Sequence, residues 1–102
     1  MFADVTIELR YGALADFIET MSRVAAVVTD AGWELREALV YQSGRLFTVR
    51  HVWKLRDLNH YQEGRDALRR SGEFPAISEL LSQVIERETI VFATSAPYAP
   101  AR

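Results

Sequence analysis

At 102 residues, 49% of them hydrophobic, the chain carries enough apolar side chains for one compact domain and no more. A net charge of −2, from 12 basic and 14 acidic residues, excludes the basic excess that a nucleic-acid partner demands, and no apolar stretch approaches bilayer length. With no cysteine, neither a disulfide frame nor a thiolate metal cluster can hold the fold.

Residues 2–11 alternate Val5, Ile7, Leu9 and Tyr11 against Asp4, Thr6, Glu8 and Arg10, which predicts a strand with one apolar and one charged face, ended by Gly12. The opening "MFADVTIELR" lacks the basic start and unbroken apolar run of a signal peptide, so a cytoplasmic protein is expected. From Leu14 the period changes: Phe17, Ile18, Met21, Val24, Ala25 and Val28 recur at helical steps, predicting an amphipathic helix with Gly32 as its C-cap. Residues 33–42 and 45–55 read as a hairpin through Ser43-Gly44. A loop of two or four residues would set Arg36 opposite His51, Ala38 opposite Val49 and Val40 opposite Phe47, with Glu37 paired to Arg50 on the other face.

Asp57 is a suitable N-cap for "LNHYQEGRDALRR", in which Leu58, Tyr61, Arg65 and Leu68 share a face; Gly64 costs that helix about 1 kcal/mol relative to Ala. Pro75 opens a further helix with an apolar stripe from Ile77 to Ile85, and "RETIVFAT" returns to strand composition. The tail "SAPYAPAR" has little to bury, so a domain over residues 1–95 and an irregular arm over 96–102 are expected. The order βαββαβ closes most simply as an α+β fold, a four-stranded antiparallel sheet with its helices on one face. The other face, expected to show Leu35, Leu39, Leu46 and Val52, predicts a second subunit covering it and so a homodimer.

The stretches "IELRYGALADFIE", "GRLFTVRHVWKLRDL" and "RRSGEFPAI" resemble the NIPSNAP family over roughly residues 5–92. The shared elements are a Glu-x-Arg-x-Tyr-like opening, here compressed to Glu8, Leu9, Arg10 and Tyr11, and a His-x-Trp, here His51 and Trp53. Departures are Phe74 where that family often has Trp, and a Ser before the hairpin Gly44 where an acidic residue is common. The resemblance implies a ferredoxin-like domain of the dimeric α+β barrel type, with two sheets meeting face to face and a pocket between sheet and helices in each subunit. Structural cousins of that family include cofactor-free monooxygenases of aromatic polyketides, cyclases, small isomerases and haem-degrading enzymes.

His51 is the residue that raises a chemical question, because Val49, His51, Trp53 and Leu55 form one apolar row. A buried imidazole there is either a bonded core histidine or a general base and hydrogen-bond donor to a ligand. Tyr61 and Arg65, four residues apart, share a helical face while His60 is rotated away; Arg65 with His51 would suit a carboxylate or enolate oxygen. Trp53, Tyr61 and Phe74 would give aromatic walls and Arg36 a further anion partner, although aromatics at core periods also simply fill the interior. No metal site is expected, since His51 and His60 lie on different elements, and no cofactor is expected, an axial haem ligand by analogy to the cousins being the exception. The expected function is a cofactor-independent isomerase, cyclase or monooxygenase acting on an aromatic or polyketide-like substrate; the alternative is a non-catalytic homodimeric ligand-binding or scaffold protein.

Overall fold

A computed structural model describes residues 1–100. Strand β1 (Phe2–Leu9) leads into helix α1 (Leu14–Asp30), the hairpin β2 (Glu34–Val40) and β3 (Thr48–Lys54), helices α2 (Leu58–Arg70) and α3 (Phe74–Val84), and strand β4 (Ile85–Ala93). The four strands form one antiparallel sheet in the order β2-β3-β1-β4, so the chain is an α+β, ferredoxin-like domain. The alternation in β1 places Ala3, Val5, Ile7 and Leu9 in the core with Val49, Trp53 and Leu55 of the β3 row. Phe17, Val24 and Val28 close over them from α1. Tyr11, expected to extend the β1 row, instead stands 92% exposed in the turn after it.

Two helix ends are built as their residues predict. Asp57 accepts the His60 backbone N–H at 2.8 Å, which satisfies one of the orphan donors of α2. At the end of α1, Gly32 takes φ 96°, its N–H bonds the Thr29 carbonyl, and Trp33 N–H bonds the Val28 carbonyl. That pair of bonds is the Schellman closure, with Ala31 as the capping residue and Gly32 one position beyond it. It delivers Trp33 into the core immediately after the helix.

The hairpin differs from its expected register. Tyr41 N–H bonds the Thr48 carbonyl, so the loop spans residues 42–47, and Phe47 sits at φ 60°, a conformation bulky residues seldom adopt. This six-residue loop shifts the pairing so that Ala38, not Arg36, lies opposite His51, and Leu39, not Glu37, opposite Arg50; a bulge between Leu35 and Glu37 follows. The extra residue puts Arg36 and Glu37 on the open face of the sheet, beside Arg50 and Val52. Leu35 correspondingly turns to the helix side, and Leu46 belongs to the loop.

The open face is therefore more polar than expected. Arg50 clasps Asp4 through two bonds, at 2.9 and 2.6 Å, and this ion pair holds the Asp4 carboxyl below its usual range. Glu8 meets Arg45 at 3.3 Å and Arg87 at 3.8 Å, and Arg45 continues to Glu86 at 2.8 Å. Leu39, Val52 and Val91 supply apolar area among these charges. Residues 94–100 form no helix or strand, and Ser95, Ala99 and Pro100 lie across one end of this face, over Phe2, Arg36 and Lys54. Of the expected arm, residues 101–102 lie outside the described residues.

Candidate functional site

Between the helix-facing side of the sheet and the helices lies a cavity of about 270 Å³. Strand alternation delivers His51 and Trp53 from β3 into it, and the helical spacing delivers Tyr61 and Arg65 from α2. These four expected residues are thus brought together. Arg36 is not, because the bulge carries it to the opposite face, where it pairs with Glu34 at 3.2 Å. Phe74, half-buried at the start of α3, is absent from the cavity lining as well.

The walls form a continuous aromatic line. Phe17 stacks with His51 at 6.2 Å between ring centres, and Trp53 meets His51 edge-on at 6.2 Å. Trp33 packs edge-on to Trp53 at 5.5 Å and stacks on Tyr61 at 5.2 Å, and Tyr61 in turn meets Phe92 at 5.0 Å. Arg65 lies 5.8 Å from the Tyr61 ring centre, a cation–π distance that steadies the guanidinium at the rim. Trp33 reaches this position because Gly64 presents no side chain; a Cβ there would run into the indole ring, whose Nε1 donates to the His60 carbonyl at 3.0 Å.

The two histidines have opposite surroundings. His60 is fully employed: its Nδ1 accepts the Arg56 N–H at 3.1 Å and its Nε2 donates to the Ala31 carbonyl at 3.0 Å, so it ties the start of α2 to the end of α1. The acceptor role of Nδ1 fixes the neutral Nε2–H form. His51 is only 5% exposed, yet neither of its ring nitrogens finds a hydrogen-bond partner among the described residues. Burial pushes its pKa below that of a free imidazole, which keeps it neutral. It also borders a second recess, of about 230 Å³, beneath β2, so its ring stands between two open volumes.

One lining residue lies outside the set expected from the sequence. Glu88 of β4 sits opposite Ile7 and shares its side of the strand with Ile90, which puts a carboxyl at the cavity edge across from Arg65. Its side chain is exposed to solvent, and desolvation on the cavity side raises its pKa while Arg65 pulls it back down. The signal was present in "ETIVF", where Glu88 alternates in phase with Ile90 and Phe92. A neutral imidazole without a partner, a carboxyl at the cavity edge and aromatic walls make an arrangement suited to moving protons on a flat ligand. Among the described residues no group of three or more His, Asp or Glu side chains is placed to hold a metal ion, and no helix is long and apolar enough to cross a membrane.

Comparison with known proteins places the whole domain in one family. The NIPSNAP family model matches residues 5–100. A NIPSNAP domain protein of Burkholderia xenovorans is 21% identical, with 99% of this chain and 100% of that one covered and a TM-score of 0.80. A NIPSNAP family protein of Agrobacterium tumefaciens is also 21% identical, with 99% and 97% covered and a TM-score of 0.83. At 13% identity, a protein described as an antibiotic biosynthesis monooxygenase of Bacteroides thetaiotaomicron shares the fold over 100% of this chain and 95% of that one, with a TM-score of 0.73. No curated protein matches by sequence.

Proposed function

The chain belongs to the NIPSNAP family, and on that premise we propose that it is a homodimeric, cofactor-independent enzyme that binds a small aromatic or polyketide-like molecule between sheet and helices. The reaction is proton transfer, as in an isomerase or cyclase, or oxygenation of an ionisable phenol. His51 acts as base or hydrogen-bond donor, Trp53 and Tyr61 as walls, and Arg65 as the anion partner. The observation that carries this reading is His51: a buried imidazole with no protein partner, bordering a cavity with aromatic walls, has its hydrogen-bonding capacity left for a ligand. The fold shared with a protein described as an antibiotic biosynthesis monooxygenase agrees with such a use of the cavity.

A panel of one- and two-ring phenols and enolisable ketones, incubated with the protein and no added cofactor and followed by mass spectrometry and NMR, tests the reading. Conversion to an isomer or to a product with one added oxygen supports it; no binding and no conversion by any member of the panel contradicts it. The dimer has a test of its own. Val52 lies on the open face with Asp4 and Glu37 as cross-strand neighbours, so Val52→Lys suits the protomer but sets a cation inside the joint between two sheets. Sedimentation should show the dimer weakened at least about 100-fold, roughly 2.7 kcal/mol, with the protomer still folded. A variant as dimeric as the parent would place the interface elsewhere.

A further inference from the structure

We infer that Glu88 is the second proton-handling group of this cavity, acting opposite His51, and that the substrate is a one- or two-ring enolisable carbonyl compound spanning the gap between them. This rests on the reading of the cavity as the substrate site and adds to it a residue and a substrate class.

The placement comes from the sheet. His51 pairs with Val5 of the central strand β1 from one side, and Glu88 pairs with Ile7 of the same strand from the other. Two inter-strand spacings and a two-residue offset separate their Cα atoms by about 12 Å, so the imidazole and carboxyl cannot bond directly and their reach converges on the space between. Neither has a hydrogen-bond or ion-pair partner among the described residues. The remaining titratable or charged side chains in the lining are Tyr61 and Arg65, both on α2; α1 and α3 contribute only apolar groups such as Phe17, Met21 and Leu81. Arg65 is the one group positioned to oppose protonation of Glu88.

Size sets the substrate class. A cavity of roughly 150 Å³ accepts benzene, and pockets for drug-sized ligands begin near 300 Å³. At about 270 Å³ this one suits one or two rings rather than three or four. The apolar and aromatic lining fits the ring system, and the two titratable ends fit a carbonyl oxygen and its neighbouring C–H.

The chemistry balances without an oxidant or co-reactant. The His51 lone pair takes the proton from the carbon next to the carbonyl, and the C–H electron pair becomes the new C=C bond. The carbonyl π pair takes the proton from the Glu88 carboxyl, giving an enol, an imidazolium and a carboxylate. Return of a proton to carbon, at the same or a conjugated position, and of the enol proton to Glu88 restores both groups. Burial holds His51 neutral, as its role requires, and desolvation shifts Glu88 in the direction its role requires.

The test uses 2-tetralone, a two-ring ketone with acidic C–H bonds, in deuterated buffer, following both its hydrogen–deuterium exchange and the Trp33 and Trp53 indole N–H signals. The native protein should shift the indole signals and speed exchange, with a rate that rises with pH as His51 becomes neutral and falls as Glu88 ionises. Glu88→Gln should keep the indole shifts, lose about 100-fold in exchange rate and lose the limb of the pH profile that follows Glu88 ionisation. Glu86→Gln, altering a carboxylate that pairs with Arg45 away from the cavity, should change none of these. A Glu88→Gln variant with native rate and pH profile overturns the inference, as does a native protein that binds the ketone without exchanging it, the cavity then remaining a binding site. A native protein whose indole signals do not respond to the ketone overturns the reading of the cavity together with the inference.

Discussion

His51→Phe is expected to abolish turnover while leaving the folded protein as stable as the parent, or more so. The imidazole lies in an apolar wall against Phe17 and Trp53 with no hydrogen bond to the protein, so the fold gains nothing from its nitrogens and bears their desolvation. Phe preserves a flat ring of similar size and removes that cost. Loss of a positioned base typically lowers a rate by about 10²–10⁴-fold. His60→Phe supplies the contrast within one molecule. It strips a donor and an acceptor from the Ala31 carbonyl and the Arg56 N–H, and should cost about 2–4 kcal/mol. Denaturant unfolding of the two variants, beside the turnover assay, separates a histidine kept for chemistry from one kept for structure. Unchanged turnover in His51→Phe would remove that residue from the mechanism.

Gly64→Ala should be strongly destabilising although it improves helix propensity. In an exposed helix the change would gain about 1 kcal/mol. Here the added Cβ meets three ring atoms of Trp33, which is itself held by its bond to the His60 carbonyl and wedged between Trp53 and Tyr61. Overpacking costs about 1–3 kcal/mol, and displacing the indole adds a lost buried hydrogen bond of about 1 kcal/mol. The melting temperature should fall by roughly 5–15 °C. Gly72→Ala, where nothing lies within 4 Å of the new Cβ, should leave it unchanged. Equal melting temperatures for the two variants would mean that Trp33 does not lie against α2 as described.

Gly64 also marks the limit of what a single sequence discloses. Its cost to α2 is legible from propensity alone, but its reason is a contact with a residue 31 positions earlier in the chain, which no local pattern encodes. The elements themselves were legible because period carries them: strand alternation in Val5, Ile7 and Leu9, helical steps from Leu14 to Val28, and caps at Asp57 and Gly32 all reappear in the fold. Their order, βαββαβ, was enough to give the overall topology, a four-stranded antiparallel sheet.

Register was less legible. A bulge at Arg36 and a left-handed Phe47 carry no glycine to announce them: the one-residue bulge sends Arg36 to the other face, and the longer loop puts Leu39 instead of Glu37 opposite Arg50, which bonds Asp4. His51 stayed where alternation put it because β3 pairs in register along its whole length with β1. The strand composition of "RETIVFAT" does not set Glu88 apart; its phase with Ile90 and Phe92 places it with the apolar row.

The proposal that His51 is a buried, neutral, unbonded imidazole awaiting a ligand is tested most directly by NMR titration of its ring nitrogens, with and without 2-naphthol, a two-ring phenol. The account predicts a pKa below the value near 6.5 of a free imidazole, because the folded protein resists protonation there, and predicts ring-nitrogen shifts when the phenol is added. A pKa at or above the free value, with ring nitrogens indifferent to the phenol, would contradict it.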